Sequence, residues 1–574
     1  MELKAIGVSN GIAIAKVYKL IEQRIEVEKE QVTNIEEQLR NLEQALDISL
    51  TEIRKLYTET LKKLGEDKTK IFMAHEQIIS DPTIIDEIKQ MITSEQVTSS
   101  YASFVIASKY IAMFKAMDDA YMRERASDIE DVTNRLIKHL LGIKIQDLAI
   151  IDEEVIIVSS DLTPSQTAQL NPEFVKGFLC DIGGRTSHAA IMARSLEIPA
   201  IVGLKDITSK VENDELIIMD GKTGVVITNP SSAQQVEWKE LQTQWKIKQQ
   251  QLQKYKDEPT ITLDGHKVTL EGNIGSFHDV DSVIDNGGNG VGLFRSEFLY
   301  MNSNQWPTEE EQFQAYKAVL EKIPNDMVVI RTLDIGGDKH LSYYQFESEM
   351  NPFLGYRAIR LCLDQIDVFK TQLRALLRAS VYGKLAIMFP MIATVNEFKE
   401  AKAITLQCKE ELKQENIAVS DDIQIGMMVE IPVAAVMSDI FSQYADFVSI
   451  GTNDLIQYGI AVDRMSPKVS YLYQPYNPGI LRLIKMTIDG AHLNKKWVGM
   501  CGEMAGEILA LPLLLGMGLD YFSMSSTSIL EARKIINSLT KKETVILVNE
   551  ALKCHNENEV ITLVTKFLQE KKLI

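Results

Sequence analysis

Residues 446–454 read Asp-Phe-Val-Ser-Ile-Gly-Thr-Asn-Asp: a short strand-forming run, a glycine, then a polar cluster that ends in a carboxylate. A brief apolar run closed by a turn residue is the pattern of a buried strand. The same pattern recurs along the C-terminal half, at 268–274, 290–294, 327–332, 385–390, 423–429, 447–451, 497–500 and 521–524. Helical pattern separates most of these segments. Strands that alternate with helices pair in parallel, and eight such units over 257–574 predict a closed (β/α)8 TIM barrel.

A barrel of this kind carries its chemistry just past the C-terminal ends of its strands. The polar residues of this chain fall there. Strand two runs into Arg295, strand three into Arg331 and a Thr-Leu-Asp-Ile-Gly-Gly-Asp-Lys run ending at Lys339, and Arg357 follows on helical pattern. Strand five ends at Glu430, strand six at Asn453 and Asp454 with Arg464 beyond, and strand seven at Cys501. Any one of these could be a structural ion pair. Several arginines on one rim call for an anionic ligand, because guanidinium forks suit phosphate and carboxylate. Glu430 and Asp454 on adjacent strands suit a hard divalent cation, since two protein carboxylates plus substrate oxygens is the usual Mg²⁺ arrangement. The expected ligand is therefore a small phosphorylated carboxylic acid chelated to Mg²⁺. Cys501 has two readings, a buried apolar residue or a proton donor over the ligand.

The N-terminal half has a second focus. Residues 183–194 read Gly-Gly-Arg-Thr-Ser-His-Ala-Ala-Ile-Met-Ala-Arg, which places His188 at a helix start after a glycine turn. Free N–H groups and the positive end of the helix dipole favour a phosphate there. His188 is read as a phosphate carrier, with a core histidine as the plain alternative. Around it lie strand-like runs at 155–158, 177–179, 200–202 and 216–219, completed by residues 1–20. Inserted between is a helical region, 21–144. Its Thr33-x-x-Glu36 predicts a capping box, and Ile35, Leu39, Leu42, Leu46, Leu50, Ile53 and Tyr57 mark one helical face. That region is either a structural bundle or a docking surface. A glutamine-rich helical stretch, 231–256, reads as a connector that lets the carrier domain swing.

The chain has 574 residues, 45% hydrophobic and 25% charged, and a formal net charge of −19. That length requires several cores. The acidity argues against nucleic acid and anionic membranes as partners. The five cysteines form no metal-finger spacing, and the N-terminus lacks an apolar signal core, so a reducing cytoplasm is expected without membrane insertion.

Taken together, 183–194, Arg-Thr-Leu-Asp-Ile-Gly-Gly-Asp-Lys at 331–339, 446–454 and Gly-Met-Cys-Gly-Glu at 499–503 resemble the phosphoenolpyruvate–protein phosphotransferases, Enzyme I of the sugar phosphotransferase system. The resemblance spans essentially the whole chain. It implies that His188 takes phosphate from phosphoenolpyruvate and passes it to a histidine of the carrier protein HPr. It also implies that Thr167 supports that ring, and that Arg295, Arg331, Arg357 and Arg464 hold phosphoenolpyruvate with Asn453 and Lys339 assisting. Glu430 and Asp454 would bind Mg²⁺, and Cys501 would protonate the enolate to give pyruvate. The implied domains are 1–20 with 145–230 (swivelling phosphohistidine α/β domain), 21–144 (HPr docking), 231–256 (helical linker) and 257–574 (barrel and homodimer). Gly459, Ser466 and Tyr471 depart from the commoner Thr, Asn and His of such relatives and are expected at the pocket edge. A dikinase or synthase would need an ATP-binding domain, for which no segment is left over. A lyase on the same barrel would leave His188 without a task, and a non-catalytic sensor would not need the full set of arginines and carboxylates.

Overall fold

The computed structural model describes residues 1–20, 27–64, 69–115, 120–143, 148, 151–162, 166, 170–171, 173–183, 190, 193, 198–277, 279–301, 303, 305–337, 339, 341, 343–347, 349–464, 466 and 468–574. His188 and Thr167 lie outside the described residues. The chain divides into two compact units, Met1–Gln249 and Gln250–Ile574.

In the first unit, helices Ile35–Leu64, Lys70–Ile79, Pro82–Glu95, Ser99–Lys115 and Ala120–Leu140 pack around Leu42, Ile53, Phe72, Ile92 and Leu136. The seven apolar residues read as one face of the first helix all join this core or pack against it. The cap sits one residue later than expected. Asn34, not Thr33, accepts from Glu37 N–H at 3.1 Å, and the Glu37 carboxylate takes the Asn34 amide at 3.1 Å. Asn caps a helix as well as Thr does, and here the two candidates are adjacent.

The same unit contains an eight-stranded sheet: β1 (Glu2–Lys4), β2 (Ile6–Ser9), β3 (Ile12–Lys19), β4 (Val155–Ser159), β5 (Val175–Cys180), β6 (Ala200–Val202), β7 (Leu216–Asp220) and β8 (Val225–Thr228). Its order is β1-β8-β7-β3-β4-β5-β6-β2, with β3 to β6 parallel. Side chains alternate between faces along a strand, so Val155 and Ile157 enter one core while Ile156 and Val158 enter another. A sheet covered on both sides is why these strands read as unbroken apolar runs. Strand β8 was not foreseen; it is the four-residue return of a hairpin whose turn ends at Gly224, with φ of +74°. The stretch expected as a connector contains one helix, Ser232–Gln253, in which Leu252 is buried and most other side chains are exposed.

The second unit is a closed barrel of eight parallel strands: β9 (Thr269–Ile274), β10 (Gly290–Arg295), β11 (Met327–Arg331), β12 (Lys384–Phe389), β13 (Gln424–Val429), β14 (Phe447–Ile450), β15 (Trp497–Met500) and β16 (Tyr521–Met524). β16 pairs with β9 to close the ring. Leu293, Val329, Ala386, Met388, Met428 and Phe447 fill the interior, and a larger apolar layer lies between strands and helices.

Arg533 is 1% exposed yet makes no ion pair among the described residues. Its guanidinium donates to Thr260 Oγ1 at 3.0 Å, to the Tyr255 and Lys256 carbonyls at 2.8 Å each, and to the Gly287 carbonyl. One side chain thus ties the segment after the long helix to the turn between the first barrel helix, Asp279–Asp285, and β10. Arg533→Met leaves those carbonyls without donors, each worth about 1–3 kcal/mol when buried. The expected loss is about 3 kcal/mol or more, read as a lower urea midpoint for the barrel transition; an unchanged midpoint would contradict this role.

Candidate active site at the C-terminal rim of the barrel

Parallel pairing sets the height of each strand end. Arg295 stands in register with Arg331, Val429 with Ile450, and Ile450 with Met500. The residues that follow, Glu430, Gly451 and Cys501, therefore meet at one level of the rim. Gly451 is required there, because a Cβ would lie 2.9 Å from Met428 Sδ and 3.0 Å from Glu430 Oε2.

The charges interlock. Arg331 Nη2 reaches Glu297 Oε1 at 2.5 Å and Asp334 Oδ2 at 3.0 Å. Lys339 Nζ meets the same two oxygens at 2.9 and 2.8 Å. Arg357 Nη2 joins Asp334 Oδ1 at 2.9 Å to Asp454 Oδ2 at 3.3 Å, and its Nη1 donates to Tyr458 Oη at 3.1 Å. Tyr458 in turn donates to the Phe353 carbonyl at 2.6 Å, fixing the loop before Arg357. Arg464 approaches Asp454 Oδ1 only to 4.0 Å. Arg295 makes no hydrogen bond or ion pair with a described residue. Asn453 Oδ1 accepts from Glu503 N–H at 3.2 Å.

The backbone is strained where it serves this cluster. Ala358 has a φ of +54° and Met391 a φ of +56°, both unusual for side-chain-bearing residues. Met391 in that conformation aims its N–H at Glu430 Oε1, 2.6 Å away. Gly336 has a φ of +107°, and a Cβ there would lie 2.6 Å from the Cβ of Arg357.

Burial is the largest influence on the protonation of Glu430, Asp334, Glu297 and Cys501. It pushes Glu430 up to about 7, helped by the charges of Asp454 and Asp334 and opposed by Arg331 and Arg357. For Asp334 and Glu297 burial acts in the same sense, but the adjacent Arg331 and Lys339 override it and hold both below the ordinary carboxylate range. Burial also raises the Cys501 thiol, against the opposing hydrogen bond from Ser449 and the charge of Arg331. Cys501 is therefore a protonated thiol at neutral pH, able to give a proton.

Several polar atoms at the rim are buried without a hydrogen-bond partner among the described residues: Nε of Arg331, Arg357 and Arg464, Oδ1 of Asp454, Oε2 of Glu297 and Oγ1 of Thr452. Buried groups of this kind are rare unless water, an ion or a ligand completes them. Glu430 and Asp454 fit a divalent cation, as a mutually repelling buried pair with a carboxylate oxygen that lacks a partner among the described residues. Among the described residues no three His, Cys, Asp or Glu side chains gather into a metal cage, so the remaining ligands of such an ion would be substrate oxygens and water.

Family models match along the chain: "PEP-utilising enzyme, N-terminal" over residues 4–125, "PEP-utilising enzyme, mobile domain" over 151–224 and "PEP-utilising enzyme, PEP-binding domain" over 249–541. A phosphoenolpyruvate-protein phosphotransferase of Mycoplasma capricolum is 54% identical over 567 residues, covering 99% of each chain. The chain belongs to the phosphoenolpyruvate–protein phosphotransferase family. A Bacillus subtilis member is 55% identical over 563 residues, covering 98% of this chain and 99% of its own. An NMR solution structure of Enzyme I aligns with 40% identity and a TM-score of 0.40, covering 42% of this chain and 99% of its own.

Against this family background, the barrel brings Arg331, Lys339, Arg357, Asp454 and Arg464 into one linked set, with Arg295, Glu430, Asn453 and Cys501 on neighbouring strand ends. Tyr471 is 72% exposed, and Gly459 faces Ile480, whose Cδ1 would lie 2.6 Å from an added Cβ. Among the described residues, neither shares a side-chain hydrogen bond or ion pair with the rim residues. Sequence reasoning also missed Glu297, Tyr458 and Met391 as members of the site. The only available signal for Glu297 was its place two residues beyond Arg295.

The Cys501 environment makes a direct prediction. The ultraviolet thiolate absorbance that separates the wild type from Cys501→Ser stays flat through neutral pH and grows only above the usual thiol range of about 8.5. Growth centred below that range would contradict a thiol kept protonated by burial.

Proposed function

We propose that this chain transfers the phosphoryl group of phosphoenolpyruvate to His188 and then to a histidine of the carrier protein HPr, releasing pyruvate in the first step of sugar phosphotransfer. The observation that carries this reading is the rim, where buried cations stand half-satisfied around Glu430 and Asp454. With Glu430 ionised, as a bound cation would favour, Arg295, Arg331, Lys339, Arg357 and Arg464 outnumber Glu297, Asp334, Glu430 and Asp454 by one. A trianion together with a divalent cation brings that sum to neutrality.

In this reading Arg295, Arg331, Arg357 and Arg464 hold the phosphate and carboxylate of the substrate, and Asn453 and Lys339 assist. Glu430 and Asp454 would hold Mg²⁺, which when bound there offsets negative charge on the substrate oxygens. Unprotonated His188, supported by Thr167, attacks phosphorus; the N–P bond forms as the P–O bond to the enolate breaks. Guanidinium groups already in place stabilise the charge as it shifts. The Cys501 thiol gives its proton to the enolate carbon, forming pyruvate, and is reprotonated from solvent.

The same proposal assigns 1–20 with 145–230 to the swivelling phosphohistidine domain, 21–144 to HPr docking, 231–256 to the linker and 257–574 to the substrate-binding barrel. Among the described residues no helix is long and apolar enough to cross a membrane. Cytoplasmic location accords with free cysteines and the acidic charge. A homodimer through the barrel is supported by an exposed apolar face. Val433, Val436, Met437, Ile440 and Tyr444 lie along the helices after β13, and Leu493 ends the helix Pro478–Leu493 packed beside them. Double substitution Met437→Asp with Ile440→Asp is expected to shift sedimentation toward the monomer; an unchanged dimer would move the interface elsewhere.

His188→Ala is expected to abolish acid-labile, base-stable phosphate on the chain after incubation with phosphoenolpyruvate and Mg²⁺, while calorimetric binding of phosphoenolpyruvate persists. Full labelling of that variant would overturn the assignment.

A further inference from the structure

Glu297 opens the short helix Glu297–Met301, just past the end of β10, and its side chain is 2% exposed. One oxygen, Oε1, takes both Arg331 Nη2 at 2.5 Å and Lys339 Nζ at 2.9 Å. Asp334 Oδ2 takes the same two cations from the other side, at 3.0 and 2.8 Å. The four groups close a ring in which every member touches two others. Lys339 Nζ also donates to the Asp334 carbonyl at 3.0 Å, so the ring is pinned to the loop backbone.

Stability does not explain such a ring. Desolvating four charges offsets most of their attraction, and well-packed apolar groups would hold a core at least as well. Geometry does explain it. A guanidinium on a flexible stem turns freely unless its nitrogens are held, and Arg331 is held at Nη2 while its buried Nε has no partner among the described residues. Asp334 alone would have to restrain Arg331, Lys339 and Arg357 with two oxygens. Glu297 relieves it of part of that task.

We propose that Glu297 is a positioning residue of the phosphoryl transfer: it locks Arg331 and Lys339 in the orientation that the transition state requires. As a fixed anion beside a trianionic substrate, it also keeps ground-state binding loose. This rests on the phosphoenolpyruvate chemistry proposed above. Binding energy expressed only in the transition state raises kcat, whereas uniform attraction lowers KM alone. Removing the Glu297 charge should therefore lower kcat and lower KM, or leave KM unchanged. Loss of a direct substrate contact would instead raise KM.

The test is steady-state phosphotransfer by the full chain, with phosphoenolpyruvate, Mg²⁺ and HPr, for the wild type, Glu297→Gln and Glu297→Asp. Glu297→Gln keeps the shape and removes the charge; its kcat is expected to fall at least about tenfold, with KM for phosphoenolpyruvate unchanged or reduced. Glu297→Asp keeps the charge on a shorter stem that cannot reach both cations, and its kcat should fall between the two at wild-type KM. If Glu297→Gln does not fold, the Asp variant decides by the same criterion. A raised KM with kcat preserved, or an unchanged kcat in both variants, would overturn the proposal. A wild type that takes no phosphate from phosphoenolpyruvate would overturn the functional reading instead, and the two failures are told apart by that control.

Discussion

The carboxylate of Asp334 is the constraint on which the rest of this site depends. It is 2% exposed and touches three cations at once: Arg331, Lys339 and Arg357. Burial alone would drive it toward the neutral acid, and only those three charges keep it ionised. The dependence is mutual, because each buried guanidinium would be untenable without its carboxylates. The loop from Thr332 to Lys339 and the strained turn at Arg357–Ala358 exist to bring these partners together. A barrel offers the rigid ring of strand ends from which such a network can be hung.

The network is complete enough to fold and incomplete enough to bind. Interior ion pairs fix where the cations stand, while among the described residues Arg464 at the margin reaches Asp454 only at 4.0 Å. Among the described residues, guanidinium nitrogens and one Asp454 oxygen remain without hydrogen-bond partners. A site with preset charges needs little reorganisation when an anion arrives, and that is the electrostatic advantage an enzyme has over water.

Much of the architecture was legible in the sequence because parallel strands covered on both faces write unbroken apolar runs. The eight barrel segments read from Val268 to Met524 each contain an observed strand, apart from end residues such as Lys384, which is exposed. Strand β8 escaped because four residues after a glycine turn carry too little pattern to separate a strand from a loop. The Thr33–Asn34 ambiguity could not be settled by residue type, since both cap helices. The rim arginines and carboxylates were legible as strand-end residues. Glu297 was not, because its meaning lies in Arg331 and Lys339, which are 34 and 42 positions away in sequence.

The central claim is that one rim binds the anion and the divalent cation as a single charge-balanced unit. Isothermal titration measures it most directly, with phosphoenolpyruvate titrated into the wild type at several Mg²⁺ concentrations and Mg²⁺ titrated at several phosphoenolpyruvate concentrations. The account predicts that each ligand tightens the other, by the same factor in both directions, as linkage requires. Phosphoenolpyruvate affinity that is identical with Mg²⁺ and with excess chelator would contradict it.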